Sequence, residues 1–335
     1  MDAAQAIARP AAASVDLLTE LAARDMAGVD ALIIERMDSP VPVIPALADH
    51  LIAAGGKRLR PLLTVASARL AGAKDEACLK LAAAVEFIHT ATLLHDDVVD
   101  GSQLRRGKVA AHLIWGAPSS VLVGDFLFSR AFELMVDAGS MAALGVLAHA
   151  SRVIAEGEVL QLTRAHELNL SQEMYLEIIS AKTAELFAAA AEAGAIAAGA
   201  TEVRCQSLRA FGLKLGIAFQ LVDDALDYVG AADALGKNPG DDFREGKATL
   251  PLLLAIDRTG AAEIKFWERT ITRRDQTDLD FRRAQELVAR TGALKSTLDL
   301  ARAYAEEAKA ELTAFSGAWR TALEDLADFA VSRSA

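Results

Sequence analysis

The sequence predicts an all-α protein folded as one large helical bundle. Three observations carry this. Alanine and leucine dominate, and apolar residues recur at three- and four-residue steps, as at Val85, Ile88, Thr92 and the Leu93/Leu94 pair. Strand-like alternation over several residues is hard to find. Breakers rich in Gly, Pro and Asp cut the chain into about ten to thirteen helical segments.

In chain order, residues 1–40 are expected as a peripheral N-terminal helix, closed by "DSPVPVIP" at 38–45. "GAKDE" at 72–76 is the next breaker. Asp75 and Glu76 read as the charged first turn of a helix running to about Asp100. "GSQLRRGK" at 101–108 and "GAP" at 116–118 interrupt the chain again. Ser171 with Glu173 starts a helix that runs to about Ala198. Thr201 starts another, ending near Gly230, before the long breaker "GAADALGKNPGDDFREGK" at 230–247. No linker rich in Gly, Ser or Pro divides the 335 residues, so residues 1–335 are read as one domain.

Bulk properties exclude several classes. The apolar share of 53% argues against disorder. A net charge of −11 argues against nucleic acid and anionic lipid as partners. Two isolated cysteines, Cys78 and Cys205, suit a reducing cytoplasm. The N-terminus lacks a basic start followed by an apolar core, so no secretory signal is read. Charges such as Glu192 and Asp125 break the apolar stretches, so no membrane span is expected.

The chemistry concentrates in "LLHDDVVDGSQLRRG", residues 93–107. Asp96, Asp97 and Asp100 occupy positions i, i+1 and i+4, within an arc of about 100°. They crowd like charges at a helix C-terminus, the unfavourable end for anions. "FQLVDDALDYVG" at 219–230 repeats the layout with Asp223, Asp224 and Asp227. Carboxylates clustered without cations of their own suit a hard divalent ion such as Mg2+, which is held by a few carboxylates and substrate phosphates. With six histidines in all and none near the second cluster, a His-Asp metal hydrolase is the weaker reading.

Cations complete the pattern: Lys57, Arg58 and Arg60 in "GGKRLRP", Arg105 and Arg106 after the first cluster, Lys182, and Lys237 and Lys247. Lys and Arg are the usual binders of phosphate oxygens. Together they describe a cavity for polyanions, with one diphosphate on Mg2+ and a second held by Lys and Arg alone.

At these residues the chain resembles the trans-isoprenyl diphosphate synthases, or polyprenyl synthetases. The motifs are "GGKRLRP", "FIHTATLLHDDVVDGSQLRRG", "GDFLF", "AKTAELF", "FQLVDDALDY" and "GKNPGDDFREGKATLPLL", and they span nearly the whole chain. "EFIHTATLLHDDVVD" is most similar to the bacterial long-chain enzymes that make octaprenyl to decaprenyl tails of quinones. The resemblance implies a bundle around a deep central cavity, with Asp96, Asp97, Asp100, Asp223, Asp224 and Asp227 holding three Mg2+. It assigns Lys57, Arg60, His89 and Arg106 to isopentenyl diphosphate. It assigns Arg105, Lys182, Thr183, Gln220, Lys237 and Lys247 to the allylic diphosphate, with Lys182 among the catalytic groups. No departure occurs at these positions. The implied reaction is successive head-to-tail condensation of isopentenyl diphosphate onto a primer such as farnesyl diphosphate, in a homodimer that touches the membrane only for product release.

The growing tail is expected to run along the first aspartate helix past Thr92, Ala91 and Ile88, where small residues leave room. Phe128, Phe132 and Leu160 are the candidates for a deeper floor. A short-chain farnesyl or geranylgeranyl synthase is the alternative within the family. A terpene cyclase is disfavoured by "DDALD" and "GGKRLRP", and a non-catalytic chain-length subunit by six intact aspartates.

Overall fold

A computed structural model describes residues 14–53, 57–229 and 240–333. Among them are sixteen α-helices, two short π-helical turns and one two-stranded hairpin. Five-residue helices raise the count: α5 (Ala111–Trp115) fits between the breakers read at 101–108 and 116–118, and α11 (Asp241–Glu245) stands inside the one read at 230–247.

The bundle centres on α3 (Leu59–Ala71), α4 (Ala77–Val99), α6 (Ala117–Asp137), α7 (Met141–Thr163), α9 (Glu185–Ala197) and α10 (Glu202–Val229). α4 packs along α6, α9 lies between α3 and α10, and α15 (Ala293–Glu311) packs on the outside of α10. Alanines make this close packing possible. Ala82, Ala83 and Ala84 of α4 and Ala188 to Ala191 of α9 are all fully buried. Burying such a core removes apolar surface from water at about 25 cal/mol per Å2, the dominant favourable term in folding.

The first helix, α1 (Asp16–Arg36), corrects the expectation of a peripheral N-terminal segment. Leu18, Ala22, Val29 and Ile33 form a buried stripe against α3, α4 and the last helix, α16 (Ala318–Ser332). Asp25 of α1 pairs bidentately with Arg69 of α3 at 2.7 and 2.8 Å. The charged first helix therefore hides a core-facing stripe at helical spacing.

α8 (Gln172–Ile179) starts where the Ser171 side chain accepts a hydrogen bond from the Met174 amide. The chain then passes through a π-helical turn, Ser180–Ala184, into α9. Among the described residues one helix, α4, is long and apolar enough to cross a membrane. Most of it is buried inside the protein, and its last turn carries the first aspartates.

Candidate active site

An open cavity of about 770 Å3 runs into the bundle between α4, α7, α10 and the start of α3. Its wall gathers residues from both aspartate clusters and most of the predicted cations. On α4 the wall is formed by Glu86, His89, Thr92, Leu93, Asp96 and Asp100, one face at three- and four-residue steps.

One wall of the cavity is built from "KRLR". Arg58 caps α3 with a left-handed φ of 44°, and an ion pair to Asp30 of α1 holds it there. A non-glycine residue in that region is uncommon and marks a functional constraint. Arg60 lies over the Phe187 ring at 4.2 Å and points a guanidinium nitrogen at His89 Nε2, 3.2 Å away. Arginine has only donors, so Nε2 accepts. Burial first, then Arg60 and Arg106, pushes the His89 imidazole well below its ordinary range, which keeps it neutral. Burial also lowers Arg60 to about 10, a range in which it stays charged at neutral pH. Lys57 sits 3.9 Å over the Phe329 ring, and burial together with Arg333 lowers its pKa. Glu86 faces these cations from α4, with its carboxyl raised by burial.

The two arginines after the first aspartates stand on a hairpin of β1 (Leu104–Arg105) and β2 (Lys108–Val109). Arg106 at φ 51° and Gly107 at φ 76° form its turn, a pair of positive φ values that a two-residue hairpin needs. Arg106 joins the cavity wall with Lys57, Arg58 and Arg60. Arg105 donates from Nε to Asp97 Oδ1 at 2.9 Å and makes a second, shorter bond through its terminal nitrogen.

The structure therefore separates the three aspartates read as one face. Asp96 and Asp100 point into the cavity, whereas Asp97 is 1% exposed and turned to Arg105. One residue along a helix is a rotation of about 100°, enough to turn Asp97 from the cavity to the hairpin. Asp100 Oδ2 accepts from Lys247 at 2.8 Å, and Asp96 lies 3.9 Å from Lys182.

The second cluster divides differently, with Asp223 and Asp224 both on the cavity wall. Asp223 pairs with Arg333 at 2.9 Å. Asp224 accepts from the Tyr175 hydroxyl at 2.6 Å and from Gln220 at 2.7 Å. Thr183 donates to Gln220 at 2.9 Å, which links the π-helical turn to this cluster. Asp227 is fully buried and stands behind the wall. Lys237 lies outside the described residues.

Lys182 is carried by the π-helical turn, and its ammonium donates to Glu158 at 2.7 Å and Gln161 at 2.8 Å. Gly157 lets α7 approach this turn: a Cβ there would lie 2.8 Å from the Lys182 amide nitrogen. Burial works against the charge of Lys247, but Asp242, Asp100 and Glu245 together raise its pKa above the ordinary value.

Several wall residues escaped the sequence reading. Glu86 had a signal, since it stands one turn before His89 on the same helix, whereas Glu158, Gln161 and Glu245 read as ordinary solvated polar residues. Tyr175 and Arg333 had none, because the fold alone brings α8 and the chain end to α10. Of the tunnel residues, Thr92 lines the cavity. Ile88 and Ala91 are fully buried in the core on the other side of α4. Phe128 packs on Phe132 at 5.6 Å, and Phe132 is 40% exposed on the outside of α6.

Among the described residues no three acidic or histidine side chains converge into a ready-made metal cage. This fits Mg2+, which keeps waters and borrows oxygens from a substrate diphosphate. Asp96, Asp100 and Asp223 supply hard oxygen donors on the wall for that mode of binding. Two carboxylate clusters on the wall of one cation-rich cavity suit a helical enzyme that works on metal-bound diphosphates.

Comparison places it further. The polyprenyl synthetase family matches residues 41–288, and the chain belongs to that family. It is a prenyltransferase with the all-α isoprenoid synthase fold. It is 44% identical over 321 residues to the octaprenyl diphosphate synthase of Escherichia coli, covering 96% of this chain and 99% of the relative. A polyprenyl synthase from Caulobacter crescentus, solved with calcium and isoprenyl diphosphate, superposes with a TM-score of 0.95 at 70% identity, over 98% and 100% of the two chains. A decaprenyl diphosphate synthase from Rhodobacter capsulatus gives 0.92 at 51% identity, over 96% and 100%.

Proposed function

We propose that the protein is a long-chain trans-polyprenyl diphosphate synthase that adds isopentenyl diphosphate repeatedly to an allylic primer such as farnesyl diphosphate. The observation that carries this is the pairing, in one cavity, of two carboxylate clusters with a cation-rich wall around Lys57, Arg60 and Arg106. A terpene cyclase needs only the first. The names of the relatives, octaprenyl and decaprenyl diphosphate synthases, support a product between those lengths; a quinone side chain as its use follows from the sequence resemblance alone.

In this reading Asp96, Asp100, Asp223 and Asp224 on the wall would hold Mg2+, with Asp97 and Asp227 behind them, and three ions would serve one site. Mg2+, when bound, neutralises the charge that grows on the departing diphosphate. Lys182, Lys247, Thr183, Gln220, Arg105 and Lys237 orient the allylic diphosphate from the other side. Lys57, Arg60 and Arg106 fix isopentenyl diphosphate, and neutral His89 holds Arg60 in place. The double bond of that substrate attacks the allylic carbon, and the proton then lost passes to the released diphosphate. Phe187 and Phe219, 5.6 Å apart on the wall, keep water from the reacting carbons.

The proposal includes a cytoplasmic homodimer. Val121, Leu122, Phe132 and Val136 of α6, with Met141 and Val159 of α7, are exposed large apolar side chains on two adjacent helices. A second copy would cover them. The tail runs from the cavity past Thr92 toward Ala91 and Phe128, and only the finished product meets a membrane. Purified protein with Mg2+, farnesyl diphosphate and labelled isopentenyl diphosphate tests the activity. Incorporation is expected, with loss in Asp96→Asn and Asp223→Asn; folded protein that incorporates nothing refutes it.

A further inference from the structure

The two lysines of the allylic site share an arrangement that the aspartate motifs do not explain. Lys182 is bonded to Glu158 at 2.7 Å and faces Asp96 at 3.9 Å. Lys247 is bonded to Glu245 at 2.5 Å and to Asp100 at 2.8 Å. Each ammonium is thus shared between an aspartate of the first motif and a glutamate outside both motifs. Glu158 and Glu245 come from different elements, α7 and α11, and all four side chains line the one cavity.

We infer that Glu158 and Glu245 are return partners for Lys182 and Lys247, taking the lysines back from inorganic diphosphate so that it leaves after each condensation. This rests on the proposed role of the two lysines in holding the allylic diphosphate.

The need is chemical. A synthase that extends one chain many times frees one inorganic diphosphate per step. That anion must vacate the lysines before the elongated chain can take its place. Asp96 and Asp100 cannot compete for the lysines while they are engaged with metal and diphosphate. Glu158 and Glu245 stay available throughout. Burial pushes both carboxyls above their ordinary range, and the neighbouring lysine opposes that push. When diphosphate draws a lysine off, the glutamate loses its compensating charge, and regaining it favours release.

Glutamine tests the charge at nearly constant shape. A Gln at either position still offers an oxygen to the ammonium, and Gln161 continues to hold Lys182 at 2.8 Å. Removing one negative charge a few ångströms from a bound anion strengthens its binding by about tenfold at a dielectric close to that of water, as in an open, solvent-filled cavity. Calorimetric titration of the full protein with inorganic diphosphate at saturating Mg2+ reads this directly. Glu158→Gln and Glu245→Gln should each bind diphosphate about tenfold tighter, and turnover should be inhibited at correspondingly lower diphosphate. Unchanged or weaker binding in both variants overturns the inference, weaker binding being the mark of a purely structural role. Lys182→Gln and Lys247→Gln run beside them. If those lose diphosphate binding while the glutamate variants fail to tighten it, only this inference falls. If the lysine variants bind like wild type, the underlying site assignment falls as well.

Discussion

Gly157→Ala perturbs the site at one point with a predictable geometry. A Cβ at Gly157 would sit 2.8 Å from both the Ala181 Cβ and the Lys182 amide nitrogen, and 3.1 Å from the Ala181 carbonyl carbon. Carbon atoms in good contact are about 3.5–4.0 Å apart, so the π-helical turn must recede by up to roughly 1 Å. The obstacles are a methyl stem and backbone, which have no rotamer to escape into. Overpacking of this kind costs about 1–3 kcal/mol of stability. A reacting group displaced by about 1 Å can lose up to about a hundredfold in rate. The displaced turn carries Lys182 and Thr183, whereas Lys57, Arg60 and Arg106 stand on other elements. Steady-state kinetics with both substrates should therefore show kcat down by about tenfold to a hundredfold, with KM for isopentenyl diphosphate within about twofold. A folded Gly157→Ala enzyme with wild-type kcat would refute the argument that this close approach positions the lysine.

Three further outcomes follow from the packing. Tyr175→Phe removes the 2.6 Å bond to Asp224, leaves that carboxylate one donor short, and should raise the Mg2+ concentration for half-maximal rate several-fold without changing KM for isopentenyl diphosphate. Asp280 is held down to about 2, first by its bonds from Arg269 and also by Thr277, so its stabilisation is complete above about pH 4 and is lost as pH falls toward 2. Because Arg269 is about one-third exposed, Asp280→Asn should cost only about 1–2 kcal/mol in neutral denaturant melts and flatten that acid limb. Thr92→Phe fills the cavity face of α4 and Ala91→Phe the buried face toward α6, and both should shorten the product; full-length chains from both variants would exclude this tail path.

Helices whose pattern stays uniform were legible in the sequence. The helix read to Asp100 is α4, and those read from Ser171 and Thr201 are α8 and α10, each within two residues at its start. What stayed hidden depends on the third dimension. The π-helical turn at Ser180–Ala184 keeps the same apolar pattern as the helices on either side, so nothing in composition marks it. Asp97 was grouped with Asp96 because spacing alone cannot weigh a bidentate arginine across a hairpin. Arg333 reaches Asp223 from near the chain end, and no local pattern announces a partner so far along the chain. Glu158 and Glu245 looked like ordinary solvated charges until Lys182 and Lys247 were placed beside them.

The central claim is that one cavity extends a prenyl chain to the octaprenyl–decaprenyl range. Chromatography of the dephosphorylated products from farnesyl diphosphate, labelled isopentenyl diphosphate and Mg2+ measures it most directly. The account predicts that label accumulates in products of octaprenyl to decaprenyl length. Label that stops at geranylgeranyl length, with the enzyme turning over, would contradict it.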